Sequence, residues 1–479
     1  MNTILISAVA LYLLGTLGLG LWAGTRIKNT SDFAVAGRSL PLIMVVTTTF
    51  ATWFGAETVM GIPAKFVQGG LNAVVEDPFG AGSCLILVGL FFAAKLYKLN
   101  LLTIGDYYRA RYGKGIEIFC SVAIILSYLG WVAAQITALG LVFSVLTNGV
   151  LSETAGMIIG TLAVLIYVVV GGFLAVAITD FIQMIVLVIG LTVIAFFAAD
   201  LAGGSAPVLA VATKGDLWRF WPAPTLTEIF AFIGAGVTMM FGSIPQQDVY
   251  QRVMSAKNAP TARAGYILFA FVPMFVVAAA VVVMGQEAMD IARNDYQRLL
   301  PTFVLTRMPL VMQIVFFGAL LSAIKSTSSA TLLAPSTSFV ENILQNIRPD
   351  MSDQQKLFAM RVTIVVFAAI VLSYAIAMKG TSIYELVSSA YQVTLVGAFV
   401  PLLMGLYWKR ATTQGAIASV AAGVVVWLLF FPQLSNFGAV FPAPLAGLLA
   451  AFAGMFAGSL LPQALRNRHD TTRTMSEPA

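Results

Sequence analysis

Residues 49–63 read Thr49-Phe-Ala-Thr-Trp-Phe-Gly-Ala-Glu-Thr-Val-Met-Gly-Ile-Pro63 and combine a long apolar run with two glycines and a proline. A similar interruption, Phe241-Gly-Ser-Ile-Pro-Gln-Gln-Asp248, follows five apolar segments later. Glycine and proline are common in ordinary membrane helices, and that remains the simpler explanation for either break alone. Two breaks at matching positions instead indicate two five-helix halves of inverted topology, each opening with a discontinuous helix.

The composition predicts an all-α integral membrane protein. Of the 479 residues, 59% are hydrophobic and only 10% are charged, whereas a soluble domain carries about 25% charged residues. The apolar stretches approach the ~20 residues that a helix needs to cross a bilayer. We predict about thirteen spans, near residues 3–25, 40–64, 78–98, 116–147, 154–173, 177–200, 225–249, 262–286, 309–340, 358–378, 382–408, 414–432 and 438–462.

These spans predict one transmembrane domain over residues 1–462, with inverted repeats at about 40–200 and 225–408. The polar residues 463–479 have little to bury and are expected to form a disordered cytoplasmic tail.

The residue types exclude several classes of function. The two cysteines, Cys84 and Cys120, lie in apolar stretches, and the one histidine, His469, lies in the polar tail. This pattern does not match a disulfide framework, a metal cluster or a histidine-based enzyme. The net charge is +6, but no dense basic run with interleaved aromatics suggests nucleic-acid binding. We therefore expect no enzyme activity, no nucleic-acid partner and no obligate protein partner; the expected partners are a small solute and the lipid bilayer.

The distribution of basic residues predicts the orientation. Nineteen of the 27 lysines and arginines fall in alternate segments between the predicted spans, beginning after the first span. Seven fall in the other segments, and Lys325 lies within a span. Because basic residues accumulate on the cytoplasmic side, the N-terminus is expected outside and the C-terminus in the cytoplasm. We predict the plasma membrane, in a bacterium the inner membrane.

The ninth predicted span is rich in hydroxyl groups, with the run Ser322-Ala-Ile-Lys-Ser-Thr-Ser-Ser-Ala-Thr331. Hard cations take oxygen ligands, so Ser326 and Thr327 are candidate ligands for sodium. Small hydroxyl residues also let membrane helices approach closely, which is an alternative explanation of the run.

Three motifs resemble the sodium/solute symporter family: Gly171-Gly-Phe-Leu-Ala-Val-Ala-Ile-Thr-Asp-Phe-Ile-Gln183, Ala323-Ile-Lys-Ser-Thr-Ser-Ser-Ala-Thr-Leu-Leu333 and Gly405-Leu-Tyr-Trp-Lys-Arg-Ala-Thr-Thr-Gln-Gly-Ala416. The segments at 89–95, 106–114 and 244–252 are most similar to its high-affinity choline transporter branch. The resemblance implies a five-plus-five inverted-repeat core of the LeuT type, with extra helices at both ends. It also implies sodium-coupled symport of a small polar organic solute by alternating access.

The resemblance also implies one sodium ion, Na⁺, between the second and ninth spans. Its ligands would be the carbonyls of Ala51, Phe54 and Ala323 and the hydroxyls of Ser326 and Thr327. Asp180 falls where the family has an aspartate on the intracellular exit route of the ion. The alternative is a structural carboxylate at a helix end.

The solute is expected near both breaks, and six residues are candidates for contacting it: Trp53, Glu57, Trp131, Gln135, Gln246 and Lys325. Trp131 matches an aromatic cage position of the choline and proline transporters, and Gln135 follows one helical turn later. Gln246 replaces a tryptophan of the choline branch, and Trp53 replaces an acidic residue of the proline branch. The incomplete cage favours an amino acid or a small carboxylate, with a quaternary amine possible.

Lys325 is the largest departure from the family pattern. Its ammonium could replace sodium, bind a substrate carboxylate, or pair with Glu57 or Asp180. Because position 325 is about 100° around a helix from Ser326, the side chain need not point at the ion. The alternatives to sodium symport are a sodium-independent or proton-coupled transporter using Lys325, and a transporter-like solute sensor.

Overall fold

A computed structural model describes residues 3–269, 295–431 and 441–465 of the chain. Within these ranges the chain forms helices and no strand, and one isolated bridge joins Leu40 and Ala256. Helices satisfy every backbone amide internally, which is what a hydrocarbon environment requires. The predicted span at 262–286 lies mostly outside these ranges, as do residues 466–479 of the predicted tail.

The helices up to the second break are α1 (Thr3–Gly24), α2 (Thr30–Val35), α3 (Leu42–Trp53), α4 (Ile62–Gly69), α5 (Ala81–Leu87), α6 (Ala93–Lys98), α7 (Ile104–Tyr112), α8 (Lys114–Leu146), α9 (Glu153–Leu201), α10 (Ser205–Lys214) and α11 (Leu226–Gly242). The later helices are α12 (Gln247–Ser255), α13 (Ala259–Phe269), α14 (Leu299–Arg307), α15 (Leu310–Phe339), α16 (Gln345–Ile347), α17 (Asp353–Ala377), α18 (Ile383–Thr394), α19 (Val400–Tyr407), α20 (Thr413–Leu429) and α21 (Ala443–Leu460).

Short 3₁₀ and π segments connect or extend several of these helices. The 3₁₀ segments are Ala36–Arg38, Gly70–Val74 and Tyr296–Arg298. The π segments are Glu57–Gly61, Val75–Gly80, Val88–Phe92, Val340–Leu344 and Leu395–Phe399. π turns often occur at functional sites, and the first of them directly follows the first predicted break.

Eight helical stretches in the described ranges are long and apolar enough to cross a membrane, and the bent pair α11 and α12 makes a ninth candidate. The membrane class and the helical fold are therefore confirmed, and the total of thirteen spans stays a prediction.

Both predicted breaks are present. Helix α3 ends at Trp53, Phe54 has non-helical dihedrals (φ −107°, ψ 67°), and the helix resumes as the π segment Glu57–Gly61. Helices α11 and α12 are separated by four residues and meet at a bend of 45°. The discontinuous helices predicted from glycine and proline are thus confirmed.

The predicted spans 154–173 and 177–200 form one continuous element, α9, with a kink at Gly172. Gly172 has φ 51°, a left-handed conformation that side chains rarely adopt. A Cβ atom there would lie 2.6 Å from Cδ2 of Phe33 in α2. The glycine therefore allows both the kink in α9 and the close approach of α2 to it.

Helix α15 is the centre of the molecule, because it packs against α1, α3, α8, α9, α12 and α17. Its residues from Phe316 to Ser338 are all buried. The isolated bridge lies beside this core: the Leu40 amide donates to the Ser255 carbonyl at 2.9 Å, and the Lys257 amide donates to the Leu40 carbonyl at 3.0 Å. The start of α3 is thereby held to the end of α12, which places both broken helices against α15.

Candidate functional site

The hydroxyl of Thr327 joins α15 to the broken end of α3. It lies 3.2 Å from the Ala51 carbonyl oxygen and 3.1 Å from the Thr52 carbonyl oxygen. Ala323 lies one turn earlier on α15 and Phe54 lies at the break itself, and both are buried. A cation between the two helices would therefore find hydroxyl and carbonyl oxygens in a buried environment.

Asp180 of α9 adds a carboxylate beside these oxygens. One of its oxygens accepts a hydrogen bond from the Ser326 hydroxyl, and the other accepts from the Thr48 hydroxyl at 2.6 Å. Asp180 is fully buried. The structure therefore brings together the predicted exit carboxylate and one of the predicted sodium ligands.

Lys325 faces a different side of α15. Its ammonium lies 4.3 Å from the ring centroid of Tyr167 in α9, and within the described ranges it has no hydrogen-bond partner. Ser322, one turn earlier on the same face, is hydrogen-bonded to Tyr12 of α1. The structure thus directs Lys325 towards α1 and α9, away from the Thr327 hydroxyl.

Glu57 is the centre of a second group of buried polar side chains. The Trp131 indole nitrogen donates to one carboxylate oxygen at 3.0 Å, and the Gln135 amide nitrogen donates to the other at 2.6 Å. The Gln135 oxygen in turn accepts from the Ala56 backbone amide at 2.9 Å. Because Trp131 and Gln135 are four residues apart on α8, one helix face holds the carboxylate at the break.

Gly55 is the point at which the two groups meet. A Cβ atom on Gly55 would lie 2.6 Å from a Glu57 carboxylate oxygen, 2.9 Å from the Gln135 side-chain oxygen and 2.9 Å from the Thr327 hydroxyl. The absence of a side chain at this position lets the carboxylate and the hydroxyl approach the same stretch of backbone. The two predicted sites are therefore immediate neighbours.

Four aromatic rings surround this point. Trp131 stacks on Tyr128 with centroids 6.0 Å apart, meets Trp53 edge-on at 6.5 Å, and lies 5.4 Å from Tyr391 of α18. Sequence reasoning identified the two tryptophans and missed both tyrosines. Tyr128 could have been found from its position one turn before Trp131, whereas no local signal connects Tyr391 to α8.

Gln246, at the second break, lies beside this aromatic group. Its amide nitrogen donates to the Ser127 hydroxyl at 2.9 Å and contacts the Thr394 hydroxyl at 3.4 Å. Ser127 lies one turn before Trp131 on α8. The amide is therefore bonded within the protein, next to the residues around Glu57.

Asp77 was also missed by sequence reasoning. It is buried beside the first break, where it accepts from the Thr58 hydroxyl at 3.3 Å and its amide donates to the Tyr384 hydroxyl at 3.3 Å. In the part of the chain that the structure describes, no lysine, arginine or histidine forms an ion pair with Asp77 or Glu57. The break thus carries two buried carboxylates that have no cationic partner among the described residues.

A cavity of about 500 Å³ lies beside the first broken helix. Its lining includes Gly61 of the first broken helix, the ion pair Lys65–Glu385 and the ring of Tyr384. Because the Tyr384 hydroxyl also contacts Asp77, this tyrosine separates the cavity from the buried break.

A sequence profile of the sodium:solute symporter family matches residues 33–423. The chain belongs to the sodium:solute symporter family. The human high affinity choline transporter 1 is 29% identical over 447 residues, which cover 88% of this chain and 75% of the relative. The sodium/pantothenate symporter of Haemophilus influenzae is 24% identical, over 95% of this chain and 96% of the relative.

Solved structures show the same fold. A sodium-coupled sialic acid symporter in a substrate-bound outward-open state superposes with a TM-score of 0.81 at 22% identity, over 96% of this chain and 98% of the other. A nucleobase-cation-symport-1 family transporter superposes with a TM-score of 0.58 at 17% identity, over 90% and 96%. The family and the fold together make this symporter an integral membrane protein that couples a small organic solute to sodium.

Proposed function

We propose that this symporter carries a small organic cation, an amine or a quaternary ammonium compound, anchored on Glu57. The observation that carries the proposal is the Glu57 carboxylate, buried at a helix break within an aromatic group and bonded only by neutral donors among the described residues. A carboxylate in the middle of a membrane costs about 2.5–3.5 kcal/mol on insertion scales and usually marks a substrate or ion pathway.

The charges around the breaks support a cationic ligand. Among the described residues, the buried charged groups near the two breaks are Glu57, Asp77, Asp180, Asp248, Arg252 and Lys325. This set therefore contains four carboxylates and only two cationic side chains. One sodium ion leaves this region short of positive charge, and a cationic solute would offset the remainder.

The aromatic group suits the same ligand. A cation over an aromatic face gains about 0.5–2 kcal/mol, and tryptophan is the best of the rings. Trp131 is at the centre of the group, with Tyr128, Trp53 and Tyr391 around it. A relative that is named for choline transport is also consistent with a quaternary ammonium substrate.

For an amino acid or small carboxylate, which the sequence favours, the one cationic side chain predicted at the solute site was Lys325. Its ammonium, however, lies over Tyr167. We therefore prefer the amine among the alternatives that the sequence left open.

The sodium ion is proposed to lie between α3 and α15, held by Ala51, Phe54, Ala323, Ser326 and Thr327. Asp180 would draw the ion towards the cytoplasm. We further propose one domain with two inverted repeats, no enzyme activity, an N-terminus outside and a bacterial inner-membrane location. Alternating access would follow from the broken-helix bundle rocking against the remaining helices.

Uptake into proteoliposomes tests the proposal. A panel of labelled quaternary amines, primary amines, amino acids and small carboxylates is offered with an inward sodium gradient or with lithium in place of sodium. We expect sodium-driven accumulation of the cationic solutes. One charge crossing 100 mV supplies about 2.3 kcal/mol, and a tenfold sodium gradient adds about 1.4 kcal/mol. Accumulation of carboxylates in place of cations would overturn the assignment of Glu57 as the anchor.

Replacing Trp131 with alanine should weaken the apparent affinity for a cationic solute by about tenfold or more, because the ring contributes cation binding and donates to Glu57. Trp131→Phe keeps an aromatic face and should retain part of the affinity. Trp408→Ala serves as the control, because it removes a ring that packs on Phe456 and lies far from Trp131 in the sequence and in the fold. Equal affinities for wild type and Trp131→Ala would remove this residue from the solute site.

A further inference from the structure

We propose that Arg252 is a positioning residue that couples the aromatic solute site to the sodium site. The inference rests on the proposed locations of those two sites, but its main test uses sodium alone. Arg252 lies on α12, just after the second break, and is fully buried. It belongs to neither predicted ligand set, yet its hydrogen-bond partners contact Tyr128 of the aromatic group and Thr327 of the sodium set.

The first link joins the aromatic group to α12. The Tyr128 hydroxyl donates to an Asp248 carboxylate oxygen at 2.6 Å and accepts from the Asp248 backbone amide at 2.9 Å. Trp131 stacks on the same tyrosine with an interplanar angle of 12°. A displacement of the two rings by a bound solute would therefore move the start of α12.

The second link runs from Asp248 to Arg252, one turn later on α12. The guanidinium donates to the Asp248 carbonyl at 2.8 Å and lies 3.9 Å from the other carboxylate oxygen. That oxygen has no hydrogen bond within the described ranges. The guanidinium is thus the one charged group facing this carboxylate among the described ion pairs.

The third link reaches the sodium oxygens. The guanidinium donates to the Thr48 carbonyl at 3.1 Å and also to the Thr52 hydroxyl. Thr48 in turn donates to Asp180, and the Thr52 carbonyl accepts from Thr327. One guanidinium therefore bonds the last two turns of α3, which carry the predicted sodium carbonyl of Ala51 and lead to that of Phe54.

The planar fork of arginine is what makes this coupling possible. It presents five donors in a fixed plane and bonds several acceptors at once, whereas the lysine ammonium is a point charge on a flexible stem. A lysine at position 252 keeps the positive charge but cannot hold α12 and two residues of α3 in one geometry. The coupling is then lost while the charge balance is retained.

A double-mutant cycle with ²²Na⁺ as the only ligand tests the proposal. Tyr128→Phe removes the hydroxyl that bonds Asp248 and leaves the ring. We expect it to weaken sodium binding roughly five- to tenfold in the wild-type background, at the lower end of the range for coupled sites. In the Arg252→Lys background the same change should have an effect below about twofold, because the path from Tyr128 is already broken.

The control is Arg111→Lys. Arg111 is also buried and donates to the carbonyls of Gly405 and Ala411, away from both sites. In that background Tyr128→Phe should weaken sodium binding as strongly as in the wild type. If Arg252→Lys does not fold, Arg252→Gln, which also removes the guanidinium that bonds Thr48 and Thr52, replaces it in the cycle.

Two results would overturn the proposal. One is an unchanged sodium affinity in Tyr128→Phe, and the other is an equal loss of sodium affinity on this change in the wild-type and the Arg252→Lys backgrounds. A second measurement distinguishes a failure of the proposed coupling from a failure of the proposed substrate class. Tetramethylammonium should tighten sodium binding in the wild type and not in Arg252→Lys. If the sodium cycle shows coupling but tetramethylammonium has no effect on the wild type, Arg252 keeps its role and the cationic substrate is rejected.

Discussion

Thr327→Val will raise the sodium concentration for half-maximal uptake by about tenfold to a hundredfold. Valine keeps the shape of the side chain and removes the hydroxyl that faces the Ala51 and Thr52 carbonyls. A buried polar group left without its partner costs about 1–3 kcal/mol, and the ion would also lose one of its five proposed ligands. Sodium titration of solute uptake in proteoliposomes measures the change directly.

Thr331→Val is the matched control for this experiment. Thr331 lies one turn later on α15, is equally buried, and bonds the backbone carbonyl of Thr327 at 2.7 Å within its own helix. Its loss should change the sodium dependence by less than about threefold, since no ligand is removed. If the two valine variants have the same sodium dependence as the wild type, the ion does not bind between α3 and α15.

Glu57→Gln will lower the affinity for a cationic solute by about thirtyfold or more. The substitution keeps the size of the side chain and removes the charge that is proposed to face the substrate. Removing one partner of a buried charge pair costs about 2–5 kcal/mol, much of it because the other charge stays buried and unpaired. Competition against a labelled solute, at saturating sodium, gives the change in affinity.

Glu228→Gln is the control for this charge change. Glu228 is exposed near the start of α11, where it accepts from the Ala223 amide at 2.9 Å. The affinity of this variant should match that of the wild type within about twofold, as expected for an exposed group. Sodium binding without solute should also be retained in Glu57→Gln. A variant that transports the cation with unaltered affinity would exclude Glu57 as the anchor.

The helix breaks and the segment that meets α3 could be identified from the sequence because each has a local signal. Glycines and prolines mark both helix breaks, because proline lacks the backbone donor that a helix needs and glycine weakens a helix through its conformational freedom. The hydroxyl run around Ser326 and Thr327 is likewise visible in one short segment. The side chains it singles out do meet α3 and Asp180 in the structure.

The features that sequence reasoning missed depend on contacts between distant segments. Tyr391 joins the ring of Trp131 from 260 residues along the chain, and Arg252 reaches back to Thr48 and Thr52. The direction in which the Lys325 side chain points could not be predicted from the sequence either, because it depends on how α15 is rotated against α1 and α9. Helical spacing separates Lys325 from its neighbours but does not say which helix each face meets.

The pair of backbone hydrogen bonds at Leu40 restricts how this transporter can move. The two discontinuous helices come from opposite halves of the sequence, yet their ends are tied to each other by amides and carbonyls that every residue except proline supplies. Tilting one without the other would leave these groups unpaired in a buried region. The two helix ends are therefore expected to move together, and a proline introduced at position 257 would remove one of the two bonds, the one donated by the Lys257 amide.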